Sequence, residues 1–219
     1  MKAEPHKRLY RGGFCLVTDR RACGLTCVEM AGMALEAGVR WIQYRDKDRC
    51  RLSCFRTALR LRDLTARYGA FFIVNDFADI AASVEADGVH LGQDDLPVGE
   101  ARKILGRGRV IGVSTHSLSE ALRAEAEGAD YIGFGPVFRT RTKASAGAPR
   151  GVEMLTKVKT RVAVPVVAIG GIGGESLEEV FTCGADAVAA ASSVLAGDIR
   201  LNASRLMDIL SRLDRAAGG

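Results

Sequence analysis

Eight short apolar runs, rich in β-branched and aromatic residues, recur along this 219-residue chain, and the intervals between them have the length and pattern of helices. The runs are Phe14–Thr18, Trp41–Arg45, Phe71–Asn75, Gly88–Leu91, Val110–Ser114, Tyr131–Phe134, Val164–Ile169 and Ala187–Ala191. Cys27–Glu36, Leu52–Tyr68, Ser119–Glu127 and Leu177–Thr182 read as amphipathic or apolar helices between them. Strands that alternate strictly with helices form a parallel sheet with right-handed crossovers. Eight such units predict closure into an α/β fold, a (β/α)8 TIM barrel, as a single domain over 14–215, with an N-terminal extension at 1–13 and a tail at 216–219.

A weak internal repeat supports the pairing of units. Ala37-Gly38-Val39-Arg40-Trp41-Ile42, Glu85-Ala86-Asp87-Gly88-Val89, Gly128-Ala129-Asp130-Tyr131-Ile132 and Gly184-Ala185-Asp186-Ala187-Val188 each end a helix and open strand two, four, six or eight. A glycine or small residue stops the helix, and the aspartate can hold the turn.

Composition excludes several classes. There is no run of eighteen apolar residues, and the first thirteen residues are charged without a signal-peptide core, so a soluble cytoplasmic protein is expected, with no membrane partner. The six cysteines lack zinc-ligand spacing and read as reduced, partly buried thiols. Net charge is +5, and the basic excess recurs at Arg49, Arg56, Arg60 and Arg67 without interleaved aromatics, which suits a solvated helix face and not a nucleic-acid surface. The oligomeric state is open, a homo-oligomer included.

In a barrel of this kind, polar residues at the carboxyl ends of strands face the site. Strand two ends in Gln43-x-Arg45-x-Lys47, whose alternation sends three side chains to one face. Strand three ends in Asn75-Asp76, strand four in Gln93-Asp94-Asp95, strand five in Ser114-Thr115-His116 and strand six in a loop carrying Lys143. Strand seven ends in the glycine run 170–174, and strand eight in Ser192-Ser193. Arg45, Lys47 and Lys143 can neutralise phosphate oxygens, and Asp76 and Asp95 are hard oxygen ligands of the kind Mg²⁺ takes one or two at a time. The glycine turn and Ser192 sit where barrels commonly bind phosphate through backbone N–H groups. Two phosphorylated ligands, or one long one, would fit.

Other readings compete at single residues. One of Asp94 and Asp95 is expected to cap the helix after Pro97, with Asp94 the more dispensable. His90, inside a strand, suits a packed core histidine, and His116 has no visible partner as a general base. No Ser-His-Asp set stands out.

The stretches "VTDR", "IQYRDK", "FIVNDFADIA", "ADGVHLGQDDLP", "IGVSTH", "GADYIGFGPVFRTRTK", "VVAIGGI" and "GADAVAAASSVL" resemble thiamine-phosphate synthases in order and spacing. The resemblance implies a transferase that joins 4-amino-2-methyl-5-hydroxymethylpyrimidine diphosphate to 4-methyl-5-(2-phosphoethyl)thiazole or its carboxylated form. Pyrophosphate leaves first, and the thiazole nitrogen then attacks. Carried over by motif, Gln43, Arg45, Lys47, Asn75 and Ser114 would hold the pyrimidine diphosphate. Thr140, Arg141 and Thr142 would meet the thiazole phosphate, and Lys143 the diphosphate. Gly171, Ala191 and Ser192 would also meet the thiazole phosphate, and Asp76 and Asp95 would bind Mg²⁺. Tyr44, Asp46 and Phe77 depart from the family pattern; alternation turns the first two away from the site. The alternatives are a thiazole phosphate isomerase of the same fold, for which Arg45, Lys47 and the two aspartates have little use, and a non-catalytic phosphate-ligand sensor.

Overall fold

A computed structural model describes residues 13–140 and 147–217 of the chain. Eight parallel strands, β1 (Gly13–Val17), β2 (Trp41–Tyr44), β3 (Phe71–Asn75), β4 (Gly88–Leu91), β5 (Val110–Thr115), β6 (Tyr131–Phe134), β7 (Val166–Ile169) and β8 (Ala187–Ala190), close in sequence order with β8 beside β1. The helices are α1 (Arg20–Cys23), α2 (Cys27–Glu36), α3 (Arg51–Arg67), α4 (Ala78–Ser83), α5 (Val98–Leu105), α6 (Leu118–Ala126), α7 (Val152–Lys159), α8 (Leu177–Thr182), α9 (Ser192–Leu195) and α10 (Ile199–Ala217). The expected barrel is present, and its last helix runs through Ala216 and Ala217, where a tail was expected.

Side chains separate into two cores. Cys15, Val17, Trp41, Phe71, Ile73, Val110 and Tyr131 pack inside the barrel, whereas Leu16, Ile42, Tyr44, Phe72 and Val74 point outward against the helices. The amino-terminal end of this inner core is aromatic: Trp41 meets Phe71 and Tyr131 edge-on, at centroid distances of 5.9 and 5.7 Å. These three residues open their strands, so the amino-terminal end of the barrel is filled and the carboxyl end is left for a cavity.

The repeated junction is one structure at all four of its copies, and the stop before β3, at Gly69 and Ala70, has the same bonds. The N–H groups of Gly38, Glu85, Gly128 and Gly184 bond the carbonyls of Leu35, Ala82, Glu125 and Phe181, and all four residues have positive φ. The following N–H groups, of Val39, Ala86, Ala129 and Ala185, reach back to Ala34, Ala81, Ala124 and Val180, completing the same left-handed helix stop. The aspartates do more than hold the turn. The Asp87, Asp130 and Asp186 carboxylates accept the N–H of Phe72, Ile111 and Val166, each at 2.7 Å, and so tie the start of one strand to its neighbour. Each also pairs with a cation from an outer helix, Arg62, Arg102 and Lys159 respectively.

Two strand ends differ from the sequence reading for identifiable reasons. β7 begins at Val166 because Pro165 has no N–H and the Val164 N–H is taken by the Glu125 carboxylate at 3.1 Å. β2 ends at Tyr44 because the backbone of Arg45 is bonded to the Thr18 hydroxyl. All six cysteines are free thiols, and no helix among the described residues is long and apolar enough to cross a membrane. The basic α3 is partly paired through Arg51–Asp79 and Arg62–Asp87.

Candidate active site

The carboxyl ends of the strands surround a cavity, and most of the residues expected there line it, Asp95 excepted. Gln43, Arg45, Lys47, Asn75, Asp76, Ser114, Thr140, Gly171, Ala191 and Ser192 all line it. Arg141, Thr142 and Lys143 lie outside the described residues.

The two carboxamides on adjacent strands orient each other, with Gln43 Nε2 donating to Asn75 Oδ1 at 2.9 Å. Tyr44 faces the outer core and Asp46 pairs with Arg20, so neither departure from the family pattern reaches the cavity. Phe77 lies under the Arg51 guanidinium, 4.3 Å from ring centroid to Cζ, on the outer surface.

The histidine and glutamine of "HLGQDD" serve the end of β5. His90, buried, places its Nε2 2.9 Å from Ser114 Oγ and its Nδ1 2.9 Å from the Tyr131 hydroxyl. Gln93 Nε2 donates to the Ser114 carbonyl at 2.6 Å, while its carboxamide oxygen accepts from Arg123. Ser114 is thus held at both its side chain and its backbone. His90 is the packed, hydrogen-bonded histidine expected, yet it also borders the cavity.

The two aspartates part company. Asp94 is exposed, whereas the Asp95 carboxylate turns back to accept the Gly92 N–H at 2.6 Å. Neither caps α5: the residue before that helix is Pro97, with no side-chain cap, which corrects the sequence expectation. The proline presets the backbone entering the helix, and Asp95 is committed to Gly92. Asp95 is not among the residues that line the cavity, but Gly92, whose N–H its carboxylate holds, and Asp76, whose carboxylate lies within hydrogen-bonding reach of it, both do. Burial pushes the Asp95 carboxyl above the usual carboxylate range; the Gly92 amide opposes this, and the neighbouring Asp76 adds to it. Asp76 itself adopts φ 66°, a left-handed conformation uncommon outside glycine, and receives Lys47 Nζ at 3.1 Å. Two carboxylates this close require a proton or a cation between them, so the donor set fits a divalent ion that takes two carboxylates and completes its shell with water or phosphate. Among the described residues no group of three or more His, Cys, Asp or Glu forms a metal cage.

The glycine turn packs onto the β6 loop. The Val137 and Phe138 N–H groups bond the Ile169 and Gly170 carbonyls, each at 2.9 Å. Gly171, at φ 68°, lies where a Cβ would stand 2.8 Å from Phe138 Cβ, so both conformation and space demand glycine. Next to Ser192, the Ser193 Oγ is buried without a hydrogen-bond partner among the described residues.

Further lining groups include His116 and, not singled out from sequence, Cys15 and Asp19. His116 does have a partner: Glu120 accepts from its backbone N–H at 2.7 Å and lies 3.0 Å from its Nδ1. Cys15 borders the cavity 4.0 Å from Gln43 Oε1, its thiol pushed well above the usual range by burial. Asp19, at the end of β1, is buried and 3.6 Å from Arg45. Its place on the carboxyl rim was the signal that could have found it.

Comparison with known proteins identifies the family. The family model described as thiamine monophosphate synthase matches residues 14–194. The chain is 46% identical over 177 residues to a thiamine-phosphate synthase of Chloroflexus aurantiacus, covering 81% of this chain and 82% of the relative. It is likewise 46% identical over 202 residues to a thiamine-phosphate synthase of Methanocella arvoryzae, covering 90% and 94%. A solved thiamine phosphate pyrophosphorylase from Pyrococcus furiosus superposes with a TM-score of 0.86 at 38% identity, covering 95% of this chain and 98% of the other. The cation-rich rim, the paired aspartates and these matches lead to one assignment: the chain belongs to the thiamine monophosphate synthase family.

Proposed function

We propose that the protein is a thiamine-phosphate synthase that joins 4-amino-2-methyl-5-hydroxymethylpyrimidine diphosphate to a thiazole phosphate, releasing pyrophosphate. Family membership supports the activity, and the convergence of Arg45, Lys47 and Asp76 on one cavity, with Asp95 against Asp76, is the observation that supports the site assignment. The bond between the pyrimidine methylene and the diphosphate oxygen breaks, and its electron pair leaves with pyrophosphate. The thiazole nitrogen then supplies the pair for the new C–N bond. Such a displacement asks for stabilisation of a leaving anion more than for a base.

Arg45 and Lys47 bind the diphosphate and offset its charge as it leaves. Gln43 and Asn75, already locked to each other, orient the pyrimidine, and Ser114 holds a diphosphate oxygen from a position that His90 and Gln93 fix. Gly171, Ala191 and Ser192, with Thr140, receive the thiazole phosphate. Asp76 and Asp95 would hold Mg²⁺, which when bound supplies positive charge to the diphosphate; Mn²⁺ fits the same oxygens.

Pyrophosphate release by the purified protein, given both substrates with and without Mg²⁺, tests this reading beside Asp95→Ala. Release that needs both substrates and the metal, and collapses in the variant, is the expected result. No release with the thiazole phosphate still bound would overturn it.

A further inference from the structure

The segments that follow β1 and β2 are joined by three acid–base pairs. Asp19-Arg20-Arg21 on the first meets Arg45, Asp46 and Asp48 on the second, as Asp19–Arg45 at 3.6 Å, Arg20–Asp46 at 3.8 Å and Arg21–Asp48. The pairs grade from the cavity to solvent: Asp19 and Arg45 are 7% and 19% exposed, whereas Arg21 and Asp48 are 72% and 49% exposed. Beside them, one hydroxyl holds the backbone of Arg45 in both directions. Thr18 Oγ1 accepts the Arg45 N–H at 3.0 Å and donates to the Arg45 carbonyl at 3.2 Å.

We propose that Asp19 is a positioning residue that fixes the Arg45 guanidinium for the diphosphate. The proposal rests on the reading above that Arg45 meets that group. A buried carboxylate lining an anion site is an electrostatic liability unless it is spent on a cation. Both Asp19 oxygens are committed: Oδ1 accepts the Arg21 N–H at 3.0 Å, and Oδ2 faces Arg45. Arginine carries five N–H donors in a rigid fork, so a carboxylate on one side leaves others to face the cavity in a set orientation. Lys47, on the same loop, then reaches Asp76, and the two cations hold different stations.

The sign of one measurement decides the matter. If Asp19 is only a nearby negative charge, removing it tightens anion binding; if it positions Arg45, removing it weakens binding. Asp19→Asn deletes the charge while asparagine caps a helix as well as aspartate, so α1 keeps its cap; Asp19→Ser is a second variant with the same property. The affinity for inorganic pyrophosphate with Mg²⁺ is measured by calorimetry for the wild type, Asp19→Asn, Arg45→Gln and the double variant, with Arg21→Ala as the control for the solvent end. Asp19→Asn is expected to weaken binding by about ten-fold or more, since small misplacements of a positioned group are costly. The double variant is expected to bind no more weakly than Arg45→Gln, and Arg21→Ala to bind as the wild type does. In turnover, KM for the pyrimidine diphosphate rises while KM for the thiazole phosphate holds. Binding that is unchanged or tighter in Asp19→Asn, or a further loss in the double variant, overturns the proposal. Absence of turnover by the wild type would defeat the proposed function alone, because the pyrophosphate affinities still decide the role of Asp19.

Discussion

The Tyr131 phenol occupies the space that a side chain on Gly112 would need: a Cβ there would stand 2.0 Å from Tyr131 Cζ and 2.4 Å from its hydroxyl. Both sit on the inner face of neighbouring strands paired Gly112↔Tyr131, and Tyr131 is fixed further by Trp41 and by His90. Gly112→Ala therefore overpacks a rigid aromatic layer and is expected to cost about 1–3 kcal/mol or more. Urea unfolding of Gly112→Ala, alone and with Tyr131→Leu, checks this. Partial recovery in the double variant is the expected signature of a steric cause.

Among the five copies of the helix stop, only that before β4 carries a side chain at the left-handed position. Glu85 has φ 53°, where Gly38, Gly69, Gly128 and Gly184 stand in the others. Glu85 is exposed, so its side chain contributes little packing in return for the strain. Glu85→Gly is expected to raise stability by about 0.5–1 kcal/mol, the relief of a left-handed non-glycine exceeding the entropy glycine adds to the unfolded chain. A higher urea midpoint at an unchanged slope would show it.

The barrel was legible because its determinants are local. Each strand is a short apolar run, and each even-numbered strand is announced by the same junction, so order, number and closure followed from period and punctuation. The lining of the cavity was legible where strand alternation or the end of a strand marks a residue, as for Gln43, Asn75 and Ser114. It was not legible where the deciding contact is distant in sequence. Nothing local separates Asp94 from Asp95; the choice is made by the fold of the loop onto Gly92 and by the approach of Asp76 from β3. The partnership of Thr18 and Asp19 with Arg45 likewise exists only once β1 and β2 lie side by side.

Burial makes the fold sensitive to alkali. Desolvation pushes the Cys27 thiol up to about 11 and raises the Cys15 and Cys54 thiols and the Tyr44 phenol. An acid whose folded pKa lies above its unfolded value stabilises the fold fully below the unfolded pKa, and that contribution is lost as pH rises through the folded one. For Cys27 the window is pH 9.0 to about 11. Stability is expected to fall progressively across it, by up to about 3 kcal/mol from Cys27. Denaturant midpoints at pH 8, 9, 10 and 11 for the wild type and Cys27→Ala test this; a shallower decline in the variant is expected, and parallel curves would remove Cys27 as a cause.

Asp76 combines backbone strain with a charge that the neighbouring Asp95 opposes, a combination expected where function and stability pull apart. Its φ of 66° is a region that costs a non-glycine residue about 1–2 kcal/mol. Its carboxylate is anchored to Lys47, whose side chain is 50% exposed, and screening by solvent keeps that pair's contribution small. Replacing the residue by glycine relieves the backbone and removes repulsion with Asp95, at the cost of the Lys47 pair and of added freedom in the unfolded chain. Asp76→Gly is therefore expected to match the wild type in stability or exceed it by about 1 kcal/mol. If Asp76 holds the proposed metal, synthase activity should fall by at least about a hundred-fold, since that oxygen ligand and the orientation of Lys47 go together. Asp76→Asn separates the causes, because it keeps the side-chain shape and the strained backbone while deleting the charge. If activity is lost in both variants while stability rises only in the glycine one, the carboxylate serves the chemistry and the left-handed turn is the strain the fold bears to present it. Activity retained in Asp76→Gly would remove Asp76 from the metal site.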